Sequence, residues 1–223
     1  MSAPLQERLR AAGVVPVVEI EAAERALDLA DALAAGGLTA IEITLRTPAG
    51  IAAIGAVAGR RPELLLGAGT LLRPAEVRAA KEAGAAFGVS PGFDPELVET
   101  AAAVGLPLIP GAVTATELQA CLRAGIGLVK FFPAASSGGL PALRGLAGPF
   151  RHRGVTFMPT GGITPETLPE WLAQPEVGAV GGSWLAPRRA VAEGDWETVA
   201  AIAREARAIV ERARPAGGAE AAA

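Results

Sequence analysis

Short β-branched runs alternate with alanine-rich, charge-dotted segments along almost the whole chain, and no other feature constrains the fold as much. The runs are 14–19, 40–45, 64–67, 86–90, 107–109, 128–132, 155–159 and 178–180. Each has the length of a strand buried on both faces in a parallel sheet. Between them, 21–35, 74–83, 95–104, 116–124 and 165–173 read as helices, and 196–212 places Trp196, Val199, Ala203, Ala206 and Val210 on one helical face. Glycines Gly36, Gly84, Gly105 and Gly125 each stand just before a strand, where a helix C-terminus favours a left-handed residue. Asp94-Pro95 and Thr164-Pro165 have the form of an N-cap followed by proline at the first helical position.

Eight strands and about as many helices without a domain break predict an α/β protein, a (β/α)8 TIM barrel. The expected organisation is one domain over 1–214 with an N-terminal helix, and a disordered Gly/Ala-rich tail over 215–223. A length of 223 residues suits such a barrel, which runs to roughly 250 residues. The rival, an open doubly wound sheet, more often has a glycine-rich turn after its first strand, and Val18-Glu19-Ile20 has none.

A net charge of −3 with no basic run argues against nucleic acid as a partner. The single cysteine, Cys121, rules out an internal disulfide and fits a reducing compartment. Residues 1–10 lack the apolar stretch of a signal peptide, and 101–113 falls short of the ~18 apolar residues of a membrane helix. These features predict a cytoplasmic protein.

In a barrel of this kind the active site lies at the C-terminal ends of the strands. In the second strand, alternation sets Ile41, Ile43 and Leu45 against the helices and turns Glu42, Thr44 and Arg46 inward. A buried carboxylate needs a partner, and Arg46 is the nearest candidate; a structural ion pair and a functional one are equally open at this point. In the sixth strand Lys130 and Phe132 share a face. The chain has two lysines, and the other, Lys81, stands beside Glu82 on a helix. Desolvation can strip a lysine of its proton and leave a nucleophilic amine, so Lys130 reads as catalytic, with a lysine that snorkels to water as the bland alternative. The seventh and eighth strands end Thr160-Gly161-Gly162 and Gly181-Gly182-Ser183. Paired glycines there let a phosphate approach backbone N–H groups, although turn glycines alone would look similar. The sole histidine, His152, lies between two arginines, there is no tyrosine, and no His/Cys/carboxylate cluster suggests a metal. A lysine, a carboxylate, an arginine and a phosphate cradle suit imine chemistry on a phosphorylated keto acid.

Taken in order, Val15-Pro16-Val17, Ile41 to Thr47, Gly67-Ala68-Gly69-Thr70, Ser90-Pro91-Gly92, Ile109-Pro110-Gly111, Lys130 to Ala134, Pro159 to Ile163 and Gly181 to Trp184 strongly resemble 2-keto-3-deoxy-6-phosphogluconate (KDPG) aldolase. That family also includes the 4-hydroxy-2-oxoglutarate (KHG) aldolases. The resemblance covers nearly the whole chain and implies a Schiff-base lyase that yields pyruvate and glyceraldehyde 3-phosphate in Entner–Doudoroff-type catabolism. It implies Lys130 as the imine-forming residue and Glu42 as general acid/base, with Arg46 and Thr70 on the keto-acid carboxylate. Pro91, Phe132 and Thr160 would shape the pocket, and Gly161, Gly162, Gly182 and Ser183 would bind phosphate. It further implies a homotrimer with neither metal nor cofactor. The family often carries an acidic residue in the stretch that here reads Ala135-Ser136-Ser137-Gly138-Gly139, and its absence bears on the sugar end of the pocket. The galactonate epimer and unphosphorylated 4-hydroxy-2-oxoglutarate stay open as substrates. A phosphate-binding isomerase, or a non-catalytic barrel with Lys130 paired to Glu42, is the competing class.

Overall fold

The protein was analysed as a computed structural model that describes residues 3–214; the tail expected over 215–223 lies outside the described residues. All eight predicted strands are present as β1 (Val14–Val18), β2 (Ala40–Thr44), β3 (Leu65–Gly69), β4 (Phe87–Val89), β5 (Leu108–Ile109), β6 (Leu128–Phe131), β7 (Thr156–Pro159) and β8 (Val180–Gly182). The last begins two residues later than the sequence suggests. Its ladder to β1 pairs Val14 with Val180 and Pro16 with Gly182, so the terminal glycines belong to the strand. Glycine is depleted in strands, which is why the boundary was misplaced.

The strands are parallel and form a curled six-stranded sheet in the order β5-β4-β3-β2-β1-β8 and a two-stranded sheet, β6-β7. Single bridges link the two sheets at both seams: Gly111 to Lys130 on one side, Phe157 to Val177 and Thr160 to Gly181 on the other. Two apolar layers follow from strands buried on both faces. Ile41, Ile43, Ala68, Val129 and Phe157 pack outward against the helices. Val15, Ala40, Leu65, Phe87, Leu128 and Met158 pack inward with Leu5, Leu9 and Ala12 of the N-terminal helix Ala3–Ala12.

Helix ends follow their local chemistry. Asp94 accepts from the Glu96 and Leu97 amides and caps Pro95–Val104 as expected. The predicted helix 165–173 shrinks to Leu168–Leu172. The Thr167 hydroxyl accepts from the Thr164 amide and donates to its carbonyl, so residues after Pro165 form a turn first. Gly84, Gly105 and Gly125 have positive φ, but Gly36 does not; Gly37 takes that role with φ 85°. Gly36 instead permits close helix packing, because a Cβ there would fall 2.2 Å from Ala203 Cβ.

Cys121 lies fully buried on the inner face of Ala115–Arg123, and burial pushes its thiol up to about 12. The folded protein should therefore resist a thiol reagent at about pH 8 and react stoichiometrically only after denaturation; rapid native labelling would contradict this placement. The raised value also has a stability consequence. From its ordinary 9.0 up to about 12 the unfolded thiol ionises and the folded one does not, so this site's contribution to stability is lost as pH rises through that window.

Candidate active site

Alternation along β2 does turn Glu42 into the interior, where it is fully buried. Lys130, also buried, enters from β6 and donates from Nζ to Glu42 Oε1 at 3.2 Å. This corrects the expected Glu42–Arg46 pair. Arg46 lies past the end of β2, where its guanidinium reaches the mouth of the site. Its Nε donates to Thr70 Oγ1 at 3.3 Å, and Nη1 stands 3.8 Å from Glu19 Oε2.

A buried ion pair is weak evidence for stability, since desolvation of two charges offsets most of their attraction. Its position beside a cavity that Lys130 lines makes the pair a candidate for chemistry instead. Glu42 Oε2 has no hydrogen-bond partner among the described residues, so one carboxylate oxygen is uncommitted. Gly69 seats this group. A Cβ there would stand 2.2 Å from Glu42 Oε1, so β3 must carry glycine at that point for Glu42 to reach Lys130. The lysine ammonium also sits 5.3 Å from the Phe132 ring centroid.

Above the pair opens a cavity of about 530 Å³ lined by Lys130, Phe132, Thr44, Arg46, Thr160, Gly161, Gly162, Gly182 and Ser183, among others. Gly161 and Gly162 have φ of 98° and 74°, a region that suits glycine, and a Cβ on Gly162 would meet Ala135 Cβ at 2.5 Å. Gly181 gives Thr160 its room, since a Cβ there would fall 2.3 Å from Thr160 Oγ1.

Three expected residues stand back from this cavity: Glu42, fully buried behind Lys130, together with Thr70 and Pro91. Thr70 touches it through Arg46 alone and, among the described residues, is the one non-glycine with positive φ, 60°. A β-branched residue in that region is strained by on the order of 1–3 kcal/mol, and strain of this kind clusters at functional sites. Pro91 is exposed and does not line the cavity. The Ser90 hydroxyl donates to the Gly92 carbonyl at 2.7 Å and turns the loop so that the Pro91 carbonyl lies over Gly111. The expected pocket wall at Pro91 is thus a backbone contact with the end of β5.

The cavity also has residues that sequence reasoning passed over. Glu19 follows β1 and bonds Arg188, which opens the helix Arg188–Glu193 after β8; both line the cavity. The Arg188 guanidinium holds the Glu19 carboxyl below the usual carboxylate range, against the opposing effect of burial. Period-two alternation along β1 would have flagged Glu19, whereas Arg188 is one of two consecutive arginines that start a short helix after Pro187, with no distinguishing signal. Among the described residues, no group of three or more His, Cys, Asp or Glu could hold a metal ion, and no helix is long and apolar enough to cross a membrane.

The family model for KDPG and KHG aldolase matches residues 5–202. The chain belongs to this aldolase family. A 2-dehydro-3-deoxy-phosphogluconate aldolase of Pseudomonas aeruginosa is 46% identical over 197 residues, 88% of this chain and 89% of the relative. A KDPG aldolase from Legionella pneumophila, with pyruvate captured as a covalent carbinolamine intermediate, superposes with a TM-score of 0.85 at 40% identity, covering 89% of this chain and 96% of that one. A 2-keto-3-deoxy-6-phosphogluconate aldolase of Zymomonas mobilis with 3-phosphoglycerate has a TM-score of 0.83 at 42% identity, covering 91% and 94%. As a KDPG and KHG aldolase family member, the chain is a lyase by kinship.

Proposed function

We propose that this aldolase cleaves 2-keto-3-deoxy-6-phosphogluconate into pyruvate and glyceraldehyde 3-phosphate through a Schiff base on Lys130. The observation that carries the reading is the Lys130–Glu42 contact of 3.2 Å at the base of a cavity with two glycine pairs on its rim. The Lys130 amine, its proton passed to Glu42, adds to the C2 carbonyl and forms a carbinolamine. Glu42 returns that proton to the carbinolamine hydroxyl, which departs as water, leaving a protonated imine and an ionised Glu42. Glu42 then takes the proton of the C4 hydroxyl, the C3–C4 bond breaks, and its electron pair flows to the imine nitrogen. The aldehyde leaves, C3 of the resulting enamine is protonated, and hydrolysis frees pyruvate and Lys130. The iminium is the electron sink, so the scheme calls for neither metal nor cofactor.

In this reading Arg46 grips the keto-acid carboxylate, with Thr70 fixing the guanidinium. Phe132 and Thr160 line the pocket, Pro91 supports it through Gly111, and Gly161, Gly162, Gly182 and Ser183 take phosphate. The seam bridges support a single closed (β/α)8 barrel domain over 1–214. We further infer a cytoplasmic homotrimer. The galactonate epimer and 4-hydroxy-2-oxoglutarate are the alternative substrates, the latter favoured by the family description itself.

The test is chemical trapping. Incubation with pyruvate followed by borohydride should leave a reduced pyruvyl adduct on Lys130, located by peptide mass spectrometry. An unmodified Lys130 under turnover conditions would refute the mechanism and revive an isomerase or a non-catalytic barrel.

A further inference from the structure

The mouth of the cavity holds two guanidinium groups, Arg46 and Arg188, with one carboxylate, Glu19, between them. Arg46 belongs to the keto-acid side through its hydrogen bond to Thr70. Arg188 comes from the segment after β8 and shares the cavity wall with Gly161, Gly162, Gly182 and Ser183.

The three side chains differ in commitment. Glu19 is 13% exposed and is held ionised by Arg188. Its Oε2 has no hydrogen-bond partner among the described residues, and the Arg46 contact of 3.8 Å is too long to be one. Arg188 is 74% exposed, and a guanidinium has five donors, of which a single carboxylate uses at most two. Most of its donors are therefore free to meet an anion entering the cavity. An arginine with no task beyond the surface would not need a nearly buried carboxylate to aim it.

We propose that Arg188, aimed by Glu19, is the second anion-recognising side chain of this site and takes the terminal phosphate of the substrate, so that it sets the preference for phosphorylated over unphosphorylated keto acids. This inference rests on the aldolase reading above. The glycine N–H groups hold the phosphate as neutral donors; Arg188 adds the positive charge they lack. Glu19 is a positioning residue, and Arg46 stays with the carboxylate at the other end.

The test compares wild type, Arg188→Gln, Arg188→Lys and Glu19→Gln on 2-keto-3-deoxy-6-phosphogluconate and on 4-hydroxy-2-oxoglutarate. Arg188→Gln should raise KM about tenfold for the phosphorylated substrate, with kcat within about twofold and a clearly smaller change for 4-hydroxy-2-oxoglutarate, whose second carboxylate sits nearer the cleaved bond than a terminal phosphate does. Arg188→Lys should recover part of the loss, because it restores charge without the fork. Glu19→Gln should raise the same KM by less, and its effect should vanish in an Arg188→Gln background. The wild-type advantage should narrow with added salt, since the contact is solvent-exposed. Equal effects of Arg188→Gln on both substrates, or none on either, would overturn the assignment and leave Arg188 a structural tether. A wild-type protein that cleaves neither of these nor the galactonate epimer overturns the aldolase reading itself, an outcome visible before any variant is made.

Discussion

Lys130→Arg is expected to abolish cleavage, lowering kcat by on the order of 10⁴-fold or more, while the protein stays folded. A guanidinium keeps its proton under all working conditions and cannot supply the neutral amine that adds to a carbonyl. It does keep the positive charge opposite Glu42, which is why arginine is the right replacement. Methionine would strand a fully buried carboxylate, and breaking a buried pair from one side costs about 3–5 kcal/mol. The informative result is thus a pair of measurements on one variant: no turnover and no trapped pyruvyl adduct, with a thermal transition close to that of the wild type. Turnover within tenfold of wild type would show that Lys130 is not the nucleophile.

Glu42→Gln has the next largest expected effect, a fall of about 10²–10⁴ in kcat, the usual contribution of a positioned acid/base. Glutamine can occupy the space left by Gly69 and accept a hydrogen bond from Lys130, but it cannot take a proton from the C4 hydroxyl. Because the lysine remains, pyruvate and borohydride should still modify it, more slowly. That separation of adduct formation from turnover distinguishes an acid/base role from a merely structural ion pair, whose loss would move folding instead. Stability should fall by less than the full cost of a broken pair, because glutamine keeps a hydrogen-bond acceptor for the Lys130 ammonium. Near-wild-type kcat in this variant would remove Glu42 from the mechanism.

Much of this could be read in the chain because the relevant signals are local and periodic. Parallel strands buried on both faces announce themselves as short apolar runs, and a lysine or glutamate inside such a run stands out at once. What stayed hidden depends on neighbours distant in sequence. The partner of Glu42 is 88 residues away on β6, and proximity along the chain suggested Arg46 instead. The helices Gly50–Arg60 and Gly139–Ala147 begin at glycine and carry more of it inside, which blurs their helical signal. Gly36 does cap its helix, but it is not the left-handed residue; its lack of a Cβ serves packing against Ala203 in the C-terminal helix, a contact remote in sequence. Arg188 acquires meaning only when the segment after β8 returns to Glu19 at the end of β1.

The backbone of Lys130 itself lies in a seam: its amide donates to the Pro110 carbonyl at 2.8 Å, and its carbonyl accepts from the Ala112 amide at 2.9 Å. Its side chain then reaches Glu42 in the other sheet. Any breathing that parts the two sheets separates Lys130 from Glu42 while both ladders are still intact. With the proposed chemistry, turnover is consequently a finer gauge of how the two sheets hold together than helix or strand content, and under mild heat or denaturant it will fade before the far-ultraviolet signal does.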